Sequence, residues 1–165
     1  MTFKRTSQQI GGSFEKYLEG VFKQLQKEYG FNYHTFVDSK SAGGIVASQP
    51  ADYIFGSHKE IGYIEAKASA THEHLQMSML RPAQKGAIKR YGQLLGRTYL
   101  IVFFSEKTGD VSIYSGPEVM RGARINRRKS LLRLSSKKDL PTMLAQELEL
   151  IPLKSCLDKM NKEWT

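Results

Sequence analysis

The stretch TYLIVFF, residues 98–104, is apolar without interruption from Tyr99 onward, and this restricts the fold more than any other feature of the chain. A strand presents its residues to two faces in alternation, so a run with no polar position on either face is stable only where other elements cover both. The chain must therefore build a sheet around this segment and place helices over its faces. VSIYS, following EKTGD, reads as the hairpin partner of this central strand. With 165 residues there is material for one domain with a real core. The predicted fold class is α/β, a mixed central sheet flanked by helices.

The remaining elements follow from periodicity and from stop signals. Residues 1–12 are polar, end in Gly11-Gly12 and carry Lys4 and Arg5, which predicts a flexible basic arm. Ser13 suits a helix N-cap, after which Phe14, Leu18, Val21, Phe22 and Leu25 recur at helical spacing until Gly30. FNYHTFV, residues 31–37, alternates as a strand, and DSKSAGGIVASQP after it reads as a loop. DYIF and GYIEAKA read as two strands joined by GSHKE, and Pro82 opens a helix that runs to about Leu95. Residues 139–150 place Leu140, Met143, Leu144 and Leu148 on one helical face. Pro152 opens a last short helix bearing Leu153, Leu157, Met160 and Trp164. The organisation expected is an arm (1–12), one domain (13–150) and a C-terminal helical appendage (151–165).

Charge gives the first functional indication. Twenty-five Lys and Arg against 16 Asp and Glu leave a formal +9, a balance that favours polyanionic partners. The excess is concentrated: residues 81–97 and 121–138 hold basic side chains and no acidic one. Arg81, Lys85 and Lys89 repeat every four residues, a ridge that could track a phosphate backbone. Arg121, Arg124, Arg127 and Arg128 belong to a second basic run, readable as a DNA-binding surface or as a charged connection. No apolar stretch reaches the ~20 residues that span a bilayer, and the N-terminus lacks the apolar middle of a secretion signal. A cytoplasmic protein with no membrane partner is expected. The single Cys156 makes neither an internal disulfide nor a thiolate zinc site.

Chemistry concentrates in QPADYIFGSHKEIGYIEAKAS, residues 49–69. Glu65 and Lys67, two apart on a strand, point to the same face, and a hairpin with DYIF brings Asp52 opposite them. Such groups are tolerated in a sheet only if they pair, bind a metal or stay wet in a cleft. Two adjacent carboxylates repel unless a hard cation lies between them, and Mg2+ prefers oxygen ligands and joins carboxylates to phosphates. A lysine beside them supplies a compact positive charge for an attacking water or for charge developing on phosphorus. The set suits phosphodiester hydrolysis. An ordinary cross-strand ion pair is the competing reading for Glu65 and Lys67. His72 and His74 flank Glu73 in an H-x-H pattern, but with no third histidine nearby the segment reads as a loop beside the site.

These residues resemble the PD-(D/E)XK nuclease superfamily, with QPAD supplying Pro50 and Asp52 and EAK supplying Glu65 and Lys67. Within it the likeness is to Holliday-junction resolvases of the RecU kind and their phage relatives. GGSFE places Glu15 where such proteins carry a helix-borne acidic residue, and RPAQKGAIKRYG places Gln84 on the helix that approaches the active site. The resemblance spans residues 11–104 and implies a restriction-endonuclease-like core. It also implies a Mg2+-dependent endonuclease (Mn2+ as a possible substitute) acting on branched DNA as a homodimer, in the cytoplasm of a bacterium or a phage-infected host. Asp52, Glu65 and Glu15 would then be metal ligands, with Lys67 assisting the water and Gln84 positioning water or phosphate. On the helical wheel Glu15 lies at the edge of the apolar stripe and Glu19 further toward solvent, which favours Glu15. One departure stands out: the stalk that enters the junction in RecU proteins is replaced here by a loop from Ser39 to Pro50, bearing Lys40. A nuclease acting on linear, nicked or flapped DNA would use the same residues, and a non-catalytic DNA-binding domain would need only the basic surface.

Overall fold

The computed structural model describes residues 6–36, 49–125, 132–134 and 140–163. Lys4, Arg5, Lys40, Arg127, Arg128 and Trp164 lie outside the described residues, as does most of the Ser39–Pro50 loop.

The elements are α1 (Ser7–Glu28), β1 (Phe31–Thr35), β2 (Tyr53–Ser57), β3 (Ile61–Ser69), a 3-10 turn (Met77–Met79), α2 (Pro82–Ala87), β4 (Tyr99–Ser105), β5 (Val111–Ser115), α3 (Gly116–Ile125), β6 (Leu132–Leu134), α4 (Leu140–Glu147) and α5 (Leu153–Glu163). Helix α2 continues through π-helical turns over Ile88–Leu94. The strands form one sheet in the order β1-β2-β3-β4-β5-β6, in which β3 and β4 are parallel and every other pair is antiparallel. This is the expected mixed α/β sheet flanked by helices. Every residue of β4 is buried, as its unbroken apolarity requires.

The sheet separates two apolar cores. On one face α1 packs Phe14, Leu18, Phe22 and Leu25 against Ile64, Ala66, Leu100, Val102 and Phe104, with α4 adding Leu140 and Leu144. Ring contacts fix its pose: Phe14 lies 5.5 Å from Phe104, and Phe22 meets Tyr53 edge-on at 5.0 Å. Each such buried ring contributes about 1.5–3 kcal/mol relative to exposure. On the opposite face Leu80, Ala87, Ile88, Tyr99, Ile101 and Phe103 form the second core beneath α2.

Three departures from the sequence reading have local causes. Helix α1 begins at Ser7, so residues 7–12 are helical instead of forming an arm. Thr6 is the N-cap: its Oγ1 accepts from the Gln9 N–H at 3.3 Å, and its own N–H donates to Gln9 Oε1 at 2.9 Å, a reciprocal cap that outweighs two glycines. Ile10 extends the buried stripe a turn upstream. Secondly, β5 is followed by a helix that the sequence reading did not include, α3, with Pro117 in its first turn, where its missing N–H costs nothing. Thirdly, the basic run contains a strand, with Leu132–Leu134 pairing with Val111–Ile113 as the sixth strand. The apolar face of α1 is consumed by the core. Leu153, Leu157 and Met160 of α5 stay exposed.

Candidate active site

The β2–β3 hairpin pairs Tyr53 with Ile64, so Asp52, one residue upstream, stands beside Glu65 and Ala66. Its carboxylate is held there by a backbone donor, the Ala66 N–H giving a 2.8 Å bond to Asp52 Oδ2. The Asp52 carbonyl accepts from the Phe36 N–H at 2.9 Å, which ties it to the end of β1. Ile64 and Ala66 point into the α1 core, whereas Glu65 and Lys67 point to the α2 side. Glu65 is 1% exposed. Lys67 Nζ lies 2.9 Å from Glu65 Oε1, and its side chain reaches out of the same site.

Helix α2 closes the arrangement. Gln84, also buried, donates from Nε2 to Glu65 Oε1 and accepts the Arg81 N–H on its own Oε1 at 2.9 Å. The amide orientation is thereby set at both ends. Glu65 Oε1 thus has two donors, Lys67 and Gln84. Glu65 Oε2 has none and is fully buried.

Burial, and then the charge of Asp52, push Glu65 up to about 7. Burial likewise raises Asp52, opposed by the Ala66 N–H, the Lys67 charge, a side-chain hydrogen bond with Glu65 and, last, the nearby Arg81 charge. Two carboxylates that both titrate upward beside each other, one with an orphaned oxygen, form a site that favours either a shared proton or a cation. An all-oxygen donor set with one buried unsatisfied oxygen fits Mg2+ or Mn2+ and is a poor match for softer metals. Asp52 and Glu65 are the residues that would hold the ion.

Asp52, Glu65, Lys67 and Gln84 are therefore brought together as expected, and Glu15 is not. It is exposed on α1, which covers the other face of the sheet. Among the described residues no group of three Asp, Glu, His or Cys is placed to share a metal, so the carboxylate pair stands without it. Glu19 proves less exposed than Glu15, reversing the wheel argument. Burial and then the Glu19 charge raise Tyr33, and Tyr53 is raised by burial and then, in falling order, by Glu19, Glu15, Asp52 and Tyr33. His72 Nδ1 lies 3.1 Å from both Ser69 Oγ and Thr71 Oγ1, while Glu73 pairs with Lys107 at 3.0 Å. Their segment is a hydrogen-bonded loop following β3.

Arg81 and Lys89 are exposed and Lys85 half-buried along α2, beside the helix face that carries Gln84 to the carboxylates. Arg121 is exposed on α3, which packs against the π-helical turns of α2, and Arg124 lies on the same helix. Two contributors were invisible as side-chain chemistry, because the Ala66 and Arg81 backbone N–H groups act through main-chain geometry alone.

The fold and site together define an α/β domain built around a buried two-carboxylate, lysine and glutamine cluster. Neither a family model nor a curated protein sequence matches the chain. Among solved structures it is similar to Hjc, a Holliday junction resolvase from the archaeal hyperthermophile Archaeoglobus fulgidus, at 14% identity. That match covers 74% of this chain and 91% of the other, with a TM-score of 0.49. No helix among the described residues is long and apolar enough to cross a membrane.

Proposed function

We propose that the protein is a magnesium-dependent, structure-selective DNA endonuclease of the Holliday-junction-resolvase kind, hydrolysing phosphodiester bonds symmetrically across a four-way junction. The observation that carries the reading is the buried Asp52–Glu65 pair with its unsatisfied Glu65 Oε2, flanked by Lys67 on the same strand. Two buried carboxylates with a single ammonium beside them and one oxygen left without a donor are costly in a structural core and of use where charge is to be received.

When bound, Mg2+ (or Mn2+) would supply Lewis acidity toward a phosphoryl oxygen and a lowered pKa for water. The protein's own groups do the rest. Asp52 and Glu65 present oxygens on the α2 side of the sheet, Asp52 fixed by the Ala66 N–H. Lys67 Nζ, already 2.9 Å from Glu65, orients the attacking water and stabilises charge developing on phosphorus. Gln84 holds Glu65 in one rotamer and lines the approach for water or the scissile phosphate. Arg81, Lys85 and Lys89 meet the DNA backbone next to the cut, and the net charge of +9 draws DNA in. The selectivity for branched DNA comes from the sequence resemblance. A junction has two equivalent strands to cut, so a two-fold homodimer is the matching assembly.

The test is cleavage of a labelled mobile four-way junction beside a linear duplex of the same sequence, with Mg2+ or chelator, and with Asp52→Asn as control. Paired symmetric nicks confined to the junction are expected. Equal cutting of both substrates would reassign the protein as a general nuclease, and tight binding without cutting would make the carboxylate pair structural.

A further inference from the structure

Tyr99 is the first residue of β4, and its ring is buried in the core beneath the site. Its hydroxyl leaves the strand to donate a 2.6 Å hydrogen bond to the carbonyl of Pro50. The ring is held tightly: a Cβ added at Gly116 would lie 2.9 Å from Tyr99 Cδ1 and 3.1 Å from its carbonyl oxygen, so only glycine leaves room for it. The bond ends two residues before Asp52. Downstream, Asp52 is already tied at its carbonyl by the Phe36 N–H and at its carboxylate by the Ala66 N–H. Proline has no N–H of its own, so the hold on the upstream side comes through its carbonyl.

We infer that Tyr99 is a positioning residue: its hydroxyl clamps the Pro50 carbonyl and so keeps the Asp52 carboxylate in register with Glu65 for a divalent cation. This rests on the metal-dependent reading above. A ligand displaced by about 1 Å loses much of its value to a cation of strict geometry, and removal of the hydroxyl leaves the Pro50 carbonyl without its partner.

The experiment compares wild type and Tyr99→Phe. Mn2+ binding to the protein without DNA is followed by electron paramagnetic resonance, and the Mg2+ dependence of junction nicking is measured alongside. The expected result is Mn2+ binding weakened about fivefold to tenfold, in line with one lost hydrogen bond, with the Mg2+ half-saturation point rising in parallel. The melting temperature of the metal-free protein should fall by no more than the few degrees that one lost hydrogen bond costs, and DNA affinity in chelator should stay unchanged. Gly116→Ala keeps the hydroxyl but crowds the ring, and should weaken Mn2+ binding in the same way. Unaltered Mn2+ binding by Tyr99→Phe overturns the inference alone. A loss shared equally by melting temperature and DNA binding overturns it as well, because a merely structural ring behaves that way. Wild-type protein that binds no Mn2+ overturns the metal-dependent reading itself, and this inference with it.

Discussion

Lys67 Nζ stands 2.9 Å from Oε1 of Glu65, two residues back on the same strand, with the lysine side chain 18% exposed and the glutamate 2%. The pair is asymmetric: the carboxylate is locked in and the ammonium looks out. Lys67→Ala removes the outward charge and leaves Gln84 as the one remaining donor of the two on Glu65 Oε1. Cleavage should fall by on the order of a hundredfold or more, the scale for a group that stabilises developing charge. Junction affinity in chelator should hold within about threefold, since a single phosphate-facing charge is lost at most. Asp52→Asn should behave alike. Single-turnover cleavage and chelator binding on the same preparations check this, and a variant that loses binding and folding together would remove Lys67 from the chemistry.

The carboxylate pair makes stability depend on pH in a definite direction. Glu65 in the fold sits at about 7 against an ordinary 4.5, and Asp52 is also raised. Between those values the folded protein keeps a proton that the unfolded chain has released, so metal-free stability falls as pH rises from about 4.5 to about 7 and is level above. The loss is on the order of 3 kcal/mol for Glu65. Mg2+ competes for the same oxygens and should raise the melting temperature more at pH 8 than at pH 5.5. Glu65→Gln should flatten both dependences. Thermal melts across that range, with and without Mg2+, decide the matter, and a level profile for the wild type would contradict the assigned environment of Glu65.

How far the chain was legible depends on what kind of signal each residue carries. Alternation along GYIEAKA assigns Glu65 and Lys67 to one face whatever the details, and hairpin pairing carries Asp52 to them, so the site's nucleus was readable. Gln84 was readable because its helical row is fixed by Ile88 and Tyr91. Glu15 was not. A helical wheel gives the angle between Glu15 and Glu19, but how α1 rolls on the sheet is decided by Phe14, Phe22 and Tyr53 packing in three dimensions. Backbone donors, such as the Ala66 N–H on Asp52, have no residue signature at all. Nor does the π-helical continuation of α2, within which Gly92 lies close to Pro117 of α3.

The start of α1 is a case where a signal was present and a stronger-looking one masked it. Gly11-Gly12 suggested a break, yet Thr6 and Gln9 cap the helix reciprocally. Thr6→Ala should cost about 1 kcal/mol of stability, the usual worth of an N-cap side chain. Ser13→Ala, inside the helix and exposed, should be neutral or slightly stabilising, because alanine is the better helix former there. Urea titrations of the two variants would separate the alternatives, and the opposite ranking would restore Ser13 as the cap.

On the proposed reading helix α2 has two tasks that substitution can separate. Gln84 faces inward to Glu65, while Arg81, Lys85 and Lys89 line the outward side of the same helix. Each phosphate contact that is lost reduces the slope of log affinity against log salt by about 0.9 on duplex DNA. Lys85→Ala with Lys89→Ala should therefore lower the slope by roughly two, weakening binding at low salt and converging on the wild type at high salt. Cleavage per bound complex should change little, because neither lysine hydrogen-bonds the carboxylates. Gln84→Ala should show the converse: an unchanged salt slope with slower cleavage, since Glu65 then loses the amide that fixes its rotamer. Binding isotherms at several salt concentrations, paired with single-turnover rates, measure both at once. A double-lysine variant with the wild-type slope would move the DNA path off α2, leaving α3, with Arg121 and Arg124, as the next surface to test.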